Sequence, residues 1–221
     1  MKLKQRVSLC ILLLVVFSFG LSAAEAPRAT VLAAARAGLS SYLPLILTPE
    51  EMAIGKAKLG FGFQEYTIDP ARLTGEPGVP LWEKVRPTGA WRFVVQIGGR
   101  PVALLTVDVM DGKWQAVGIG AVQLAQEVQS VLASWPQESG FQYRFIRIFQ
   151  AQADFMEVSK GTEEPRYAPL IAARVSLQIN ALETGPNQRL FQSEIAEPLR
   201  EIVLNVMEKN EQNSMNQNTE K

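Results

Sequence analysis

The chain contains no histidine and a single cysteine, Cys10. The first absence excludes Ser-His-Asp and Cys-His catalysis, and with so little sulfur it also removes the usual zinc, haem-histidine and thiol sites. There is no Ser-x-x-Lys arrangement and no Asn-x-Ser/Thr acceptor. Gly55-Lys56 lacks the earlier glycine of a phosphate-binding loop, and Gly60-Phe61-Gly62 lacks the third glycine of a dinucleotide fingerprint. Both read as turn glycines. Asp108 and Asp111-Gly112 match a calcium loop poorly and read as turn chemistry. No metal and no cofactor is therefore expected. Charge of one sign is lacking too: 22 basic and 22 acidic residues cancel. No basic cluster of the kind nucleic-acid binding needs is present. Carboxylate chemistry is what survives, for which Glu65, Asp69, Asp108 and Asp154 are the strand-associated acids, with no spacing that singles out a pair.

What is present begins with the N-terminus. Lys2, Lys4 and Arg6 precede an uncharged apolar run, 7–19, and then Gly20-Leu21-Ser22-Ala23-Ala24-Glu25. This is the pattern of a secretory signal peptide, 1–24, with cleavage expected after Ala24. The rival reading is an uncleaved anchor, because 7–24 is uncharged and near the lower limit of spanning length. Cys10 lies inside the apolar run, so a mature chain starting at Glu25 has no cysteine and no disulfide. Together with the missing glycosylation acceptor, this suits a bacterial exported protein.

The best-specified stretch is 89–119, which the alternation reads as three antiparallel strands. Gly98-Gly99 and Asp111-Gly112 suit two-residue hairpin loops, whose central residues need positive φ. That register sets Ile97 opposite Arg100, Val95 opposite Val102, Phe93 opposite Leu104, Met110 opposite Lys113 and Thr106 opposite Val117. Pro101 falls opposite Gln96. One face would collect Trp91, Phe93, Val95, Val102, Leu104 and Ile119 as core. The other, with Val94, Ala103, Leu105, Val107 and Trp114, needs a helix, more strands or a partner to cover it.

Around this meander, 27–43 has helical spacing through Leu32, Ala35, Leu39 and Tyr42. Thr48-Pro49-Glu50-Glu51 is a capping box opening a short helix. The stretch 61–68 reads as a strand, and 69–88 as a long loop containing Trp82. A helix follows over 121–135, with Leu124, Val128 and Val131 inward. Strands are expected at 141–150 and 153–159, a polar loop over 160–169, a strand over 170–179 and a turn at 185–187. A last helix runs from Pro198 to about Lys209, and 210–221 is expected to be a disordered polar tail.

The fold class is α+β: antiparallel sheet with packed helices over 25–209. A finer division gives two halves, 25–120 and 121–209. Helix followed by strands, twice, resembles the layout of cystatin-like and PepSY-type modules, which implies two tandem helix-plus-sheet units and nothing about function. The expected role is an exported, non-enzymatic binding or accessory protein, with a protein or peptide ligand, no nucleic acid, and membrane contact only if the N-terminal segment is kept. The alternative is a carboxylate-dependent glycan hydrolase. The candidate binding residues are Trp82 and Trp114, as loop and sheet-face aromatics, and Arg147 with Asp154, as an arginine among aromatics on one strand and a carboxylate within reach on the next.

Overall fold

The computed structural model describes residues 28–54, 56–179 and 188–219. The expected signal segment and the turn at 185–187 lie outside these. The elements run α1 (Arg28–Tyr42), α2 (Pro49–Ile54), β1 (Lys58–Ile68), α3 (Pro70–Gly75), α4 (Leu81–Lys84), β2 (Val85–Ile97), β3 (Arg100–Met110), β4 (Lys113–Gly120), α5 (Val122–Ser134), β5 (Phe141–Ile148), β6 (Ala153–Lys160), β7 (Arg166–Pro169), α6 (Ile171–Ser176) and α7 (Gln192–Thr219). The strands form one seven-stranded sheet, ordered β4-β3-β2-β1-β5-β6-β7. Every pairing is antiparallel except β1 with β5 at its centre. The fold is α+β.

The two hairpin turns form as their residues dictate: Gly98, Gly99, Asp111 and Gly112 all have positive φ. Ile97 pairs with Arg100, Gln96 with Pro101 and Met110 with Lys113, as expected. Beyond each turn a bulge shifts the register by one. Val95 pairs with Ala103 rather than Val102, and Thr106 with Gly118 rather than Val117. Val102 and Val117 are the extra residues, and a single extra residue reverses the faces of everything after it. Trp91, Phe93 and Val95 therefore share a core with Ala103, Leu105 and Val107, while Leu104 joins Val94 on the opposite face.

Both faces of the meander are covered by helices. α1 brings Val31 and Ala35 onto the Trp91 side, with Leu32, Leu39 and Tyr42 at its border. Gly38 permits the close approach, because a Cβ there would sit 2.3 Å from the Ala116 Cβ. α5 lays Ala125, Val128 and Val131 against Val94, Leu104, Phe145 and Met156. The far half of the first face is covered by α7, whose Ile195, Leu199 and Val203 pack on Ile146, Ile148 and Phe155. Burial of this kind is worth roughly 25 cal/mol per Å² of apolar surface and is the main stabilising contribution. Gly60 and Gly62 lie within β1, at a register shift, rather than in a turn. A Cβ on Gly62 would meet the Phe93 ring at 2.4 Å.

Four segments differ from the sequence reading. The stretch 69–88 is ordered as α3, α4 and the start of β2. Asp69 caps α3 by accepting from the Ala71 N–H at 2.9 Å, and Pro70 occupies the first turn, where a missing N–H costs nothing. The expected loop at 160–169 ends in β7, which pairs with β6. The segment after it is the helix α6 rather than a strand. Its first amide, Ile171 N–H, donates to the Glu127 carboxylate of α5, which Arg174 also holds at 2.6 Å. That tertiary cap favours a helical turn where local β-branched residues favour a strand. α7 begins at Gln192, six residues before Pro198, and continues to Thr219 where a disordered tail was expected. Its start is fixed by Phe191 N–H donating to Glu194 at 2.7 Å.

Candidate functional site

The most charged part of the sheet lies on the α5 face, past the end of that helix. Strand alternation and the parallel β1–β5 pair bring four side chains into a row across β2, β1, β5 and β6: Arg92, Glu65, Arg147 and Asp154. Arg92 Nε donates to Glu65 at 2.8 Å, and Arg147 Nη1 lies 3.6 Å from the same carboxylate. Arg147 and Asp154 are directly opposed across the β5–β6 hairpin and form a two-pronged bond, 2.7 Å on each arm. Glu65 is 4% and Asp154 6% exposed. The Asp154 bond and the nearby carboxylates hold the Arg147 pKa above the ordinary arginine value, against burial. The guanidinium also sits 5.6 Å from the Phe145 ring. A shallow depression of about 320 Å³, lined by Arg147, Phe149, Gln152 and Asp154, opens beside it.

Chemically this row is committed to itself. The guanidinium of Arg147 is shared between two carboxylates, and each carboxylate is ion-paired with an arginine. A glycosidase needs one of its acids neutral and facing open space. Glu65 and Asp154 are instead each buried in an ion pair with arginine. Asp69, the other acid considered with Glu65, caps a helix, where the Ala71 N–H and then Arg86 hold its carboxyl below the usual range. On the other face a second pair, Arg144 with Glu157 at 2.7 Å, supports the Trp82 carbonyl through Arg144. Burial and the Glu157 charge push the neighbouring Tyr167 phenol up.

The sequence-predicted residues thus do not form one site. Arg147 and Asp154 meet. Trp82 is half-buried in α4, and Trp114, opposite Val109 in β4, is half-buried against the α1 core. The two tryptophans sit on different parts of the fold, and the meander face containing Trp114 is covered by α1. Sequence reading missed Arg92 as the second holder of Glu65; strand alternation through Arg92, Val94 and Gln96 was the available signal. Among the described residues no group of three or more acids, histidines or cysteines is placed to hold a metal, and no helix is long and apolar enough to cross a membrane.

The two sheet edges differ. β7 is closed on its outer side by Leu190, which exchanges main-chain hydrogen bonds with Tyr167 at 2.8 and 2.9 Å. Among the described residues β4 has a strand neighbour on one side only. Around it Val109, Met110, Val117 and Val122 are exposed. One of its carbonyls, that of Ala116, accepts from the Tyr42 hydroxyl at 3.1 Å. Comparison with known proteins adds no relative: no family model, curated protein or solved structure matches the chain significantly.

Proposed function

We propose that this is an exported, non-enzymatic binding protein of the cell envelope or medium, and that it takes up a protein or peptide along the free edge of β4. The contrast between the two edges carries this reading. One is closed by the chain itself; the other leaves main-chain groups open beside an apolar border. A strand added to β4 would pair those groups and cover Val117 and Val122, the recognition mode in which an extended segment extends a sheet. The helices on both faces of the meander leave the edge as the place for a partner strand. The basic, apolar, small-residue order of 1–24 supports export with cleavage after Ala24. The helix-then-strands order on either side of the β1–β5 seam supports two tandem units, 25–120 and 121–209.

The test has two stages. Expressed with its own N-terminus in a bacterial host, the protein should have a mature mass starting at Glu25 and lie outside the membrane fraction. A full-length mass in the membrane fraction would instead make 7–24 an anchor. Partners captured from the matching compartment by the wild-type protein should then be lost by Val117→Glu/Val122→Glu, which changes only exposed side chains. Retention of every partner by that variant would end the edge-strand reading.

A further inference from the structure

Among the described residues four charged side chains are buried: Glu65, Lys84, Asp154 and Glu157. The three acids are each paired with an arginine. Lys84 is the exception. It ends α4, it is 2% exposed, and among the described residues its ammonium has neither a hydrogen-bond nor an ion-pair partner. An ammonium has three donors to satisfy; the Lys84 Nζ is not sealed from solvent, and the residue lines a cavity from which those donors can be met. The lysine is covered by its neighbours rather than deep in the core.

Lys84 lines a cavity of about 220 Å³ between the α3–α4 segment and the start of α7. Leu73, Val79, Pro80, Leu81 and Ala196 make its apolar wall. Gln192 and Ser193, in the first turn of the long helix α7, and Arg200 one face further on, line the polar side. The frame is already built. The Leu81 N–H donates to Gln192 Oε1 at 2.9 Å, and Arg200 Nε donates to the Thr74 carbonyl at 3.1 Å. Each flanking arginine has its own carboxylate: Arg72 has Glu76 at 3.5 Å, and Arg200 has Glu197 at 2.9 Å. One positive charge, on Lys84, is left over.

We propose that this cavity binds a monoanionic carboxylate carried on a small apolar group, with the carboxylate on Lys84 and the apolar group against Leu73, Val79, Leu81 and Ala196. The unmatched single charge sets the ligand charge. A phosphate dianion would exceed it and face Glu76 and Glu197 as well. The size is below the roughly 300 Å³ at which sites for drug-sized ligands begin, so the ligand is small. The first turn of α7 adds the positive end of a helix dipole on the same side. Burial, opposed by Glu76 and assisted by Arg72 and Arg200, lowers the Lys84 pKa, and a bound carboxylate would reverse that. The carboxylate can come from a free short-chain acid or from the C-terminal residue of a peptide. The site is built from α3, α4 and α7 rather than β4, so it stands or falls separately from the edge-strand reading.

The experiment is a titration of the isotope-labelled mature chain followed at its backbone amides. The probes are isocaproate, its neutral amide, a peptide ending in leucine as acid and as amide, and inorganic phosphate. Saturable shifts at Val79, Leu81, Lys84, Ser193 and Ala196 are expected with the acids, and binding at least ~10-fold weaker with the amides, a difference of about 1.4 kcal/mol. Lys84→Met keeps the apolar stem and should lose the response while melting no lower than wild type; Lys84→Gln serves if the first variant does not fold. A tighter response to isocaproate assigns a free acid, and a tighter response to the peptide acid assigns a C-terminus. No saturable shift with either acid, an equal response in the lysine variant, or phosphate binding as well as the acids overturns the proposal.

Discussion

Replacing Arg147 by methionine is the sharpest test of the charged row on the sheet. The substitution keeps much of the stem that lies near the Phe145 ring and removes the guanidinium. Asp154 then loses two charge-assisted bonds of 2.7 Å each, with its side chain only 9% exposed. Glu65 keeps Arg92 at 2.8 Å, so the damage is concentrated on one carboxylate. Removing one partner of a buried pair costs about 3–5 kcal/mol. Arg147 itself is 24% exposed, so water reaches the vacated position and screening discounts the cost to roughly 2–4 kcal/mol. For a chain of this size each kcal/mol moves the melting temperature by about 2–4 °C, giving a drop of around 6–12 °C for a 3 kcal/mol loss. Urea unfolding followed by tryptophan fluorescence would give the same quantity as a lower midpoint at constant slope. Two controls separate burial from mere pairing. Arg86→Met breaks an ion pair with Asp69 in which the arginine side chain is 53% exposed, and should lower the melting temperature far less than Arg147→Met. Arg147→Met/Asp154→Leu removes the stranded charge and should recover most of the loss, because an apolar pair of similar volume is often as stable as the ion pair it replaces. A single variant no worse than the Arg86 control, or a double variant less stable than Arg147→Met, would refute the reasoning.

Two further outcomes follow from named contacts. Gly38→Ala should destabilise the protein by about 1–3 kcal/mol by overpacking, although it improves helix propensity by about 1 kcal/mol, because the new Cβ would lie 2.3 Å from the Ala116 Cβ; Gly38→Ala/Ala116→Gly should restore the melting temperature. Lys84→Met should be more stable than wild type at neutral pH, and this advantage should shrink as pH rises. The folded-state pKa of Lys84 lies below the ordinary lysine value, mainly through burial, so from that lowered pKa up to the ordinary one the unfolded chain holds the extra proton and wild-type stability climbs relative to the variant. Glu76, Arg72 and Arg200 are the charges that face it. Denaturant midpoints of both proteins across alkaline pH check this, and a difference that stays flat or widens with pH would contradict it.

How much of this was legible in the chain depends on how far each signal had to travel. The hairpin turns at Gly98-Gly99 and Asp111-Gly112 were readable because the backbone conformation is local to two residues. The capping box was readable for the same reason, and it forms: Thr48 N–H donates to Glu51 at 2.8 Å and Glu51 N–H to Thr48 at 3.2 Å. The bulges were not readable, since Val102 and Val117 are ordinary strand residues with nothing local to mark an insertion. α6 was misread because its cap comes from Glu127 in another helix. The same distinction orders the charges. Arg147 and Asp154 face each other across one hairpin, so strand alternation was enough to suspect the pair. Alternation places Arg92, Glu65 and Arg147 each on one face of its own strand, but they meet only because β1 lies between β2 and β5, an order that is not local. Lys84 is the extreme case. It lies in the stretch 69–88, which reads as a loop, and nothing local marks it. Its significance lies in having no partner among the described residues, which can be seen only in the fold. A buried charge that has a partner can be guessed from a pattern; one that lacks a partner must be found in the fold, and for that reason Lys84 rather than Arg147 is the residue with capacity left for a ligand.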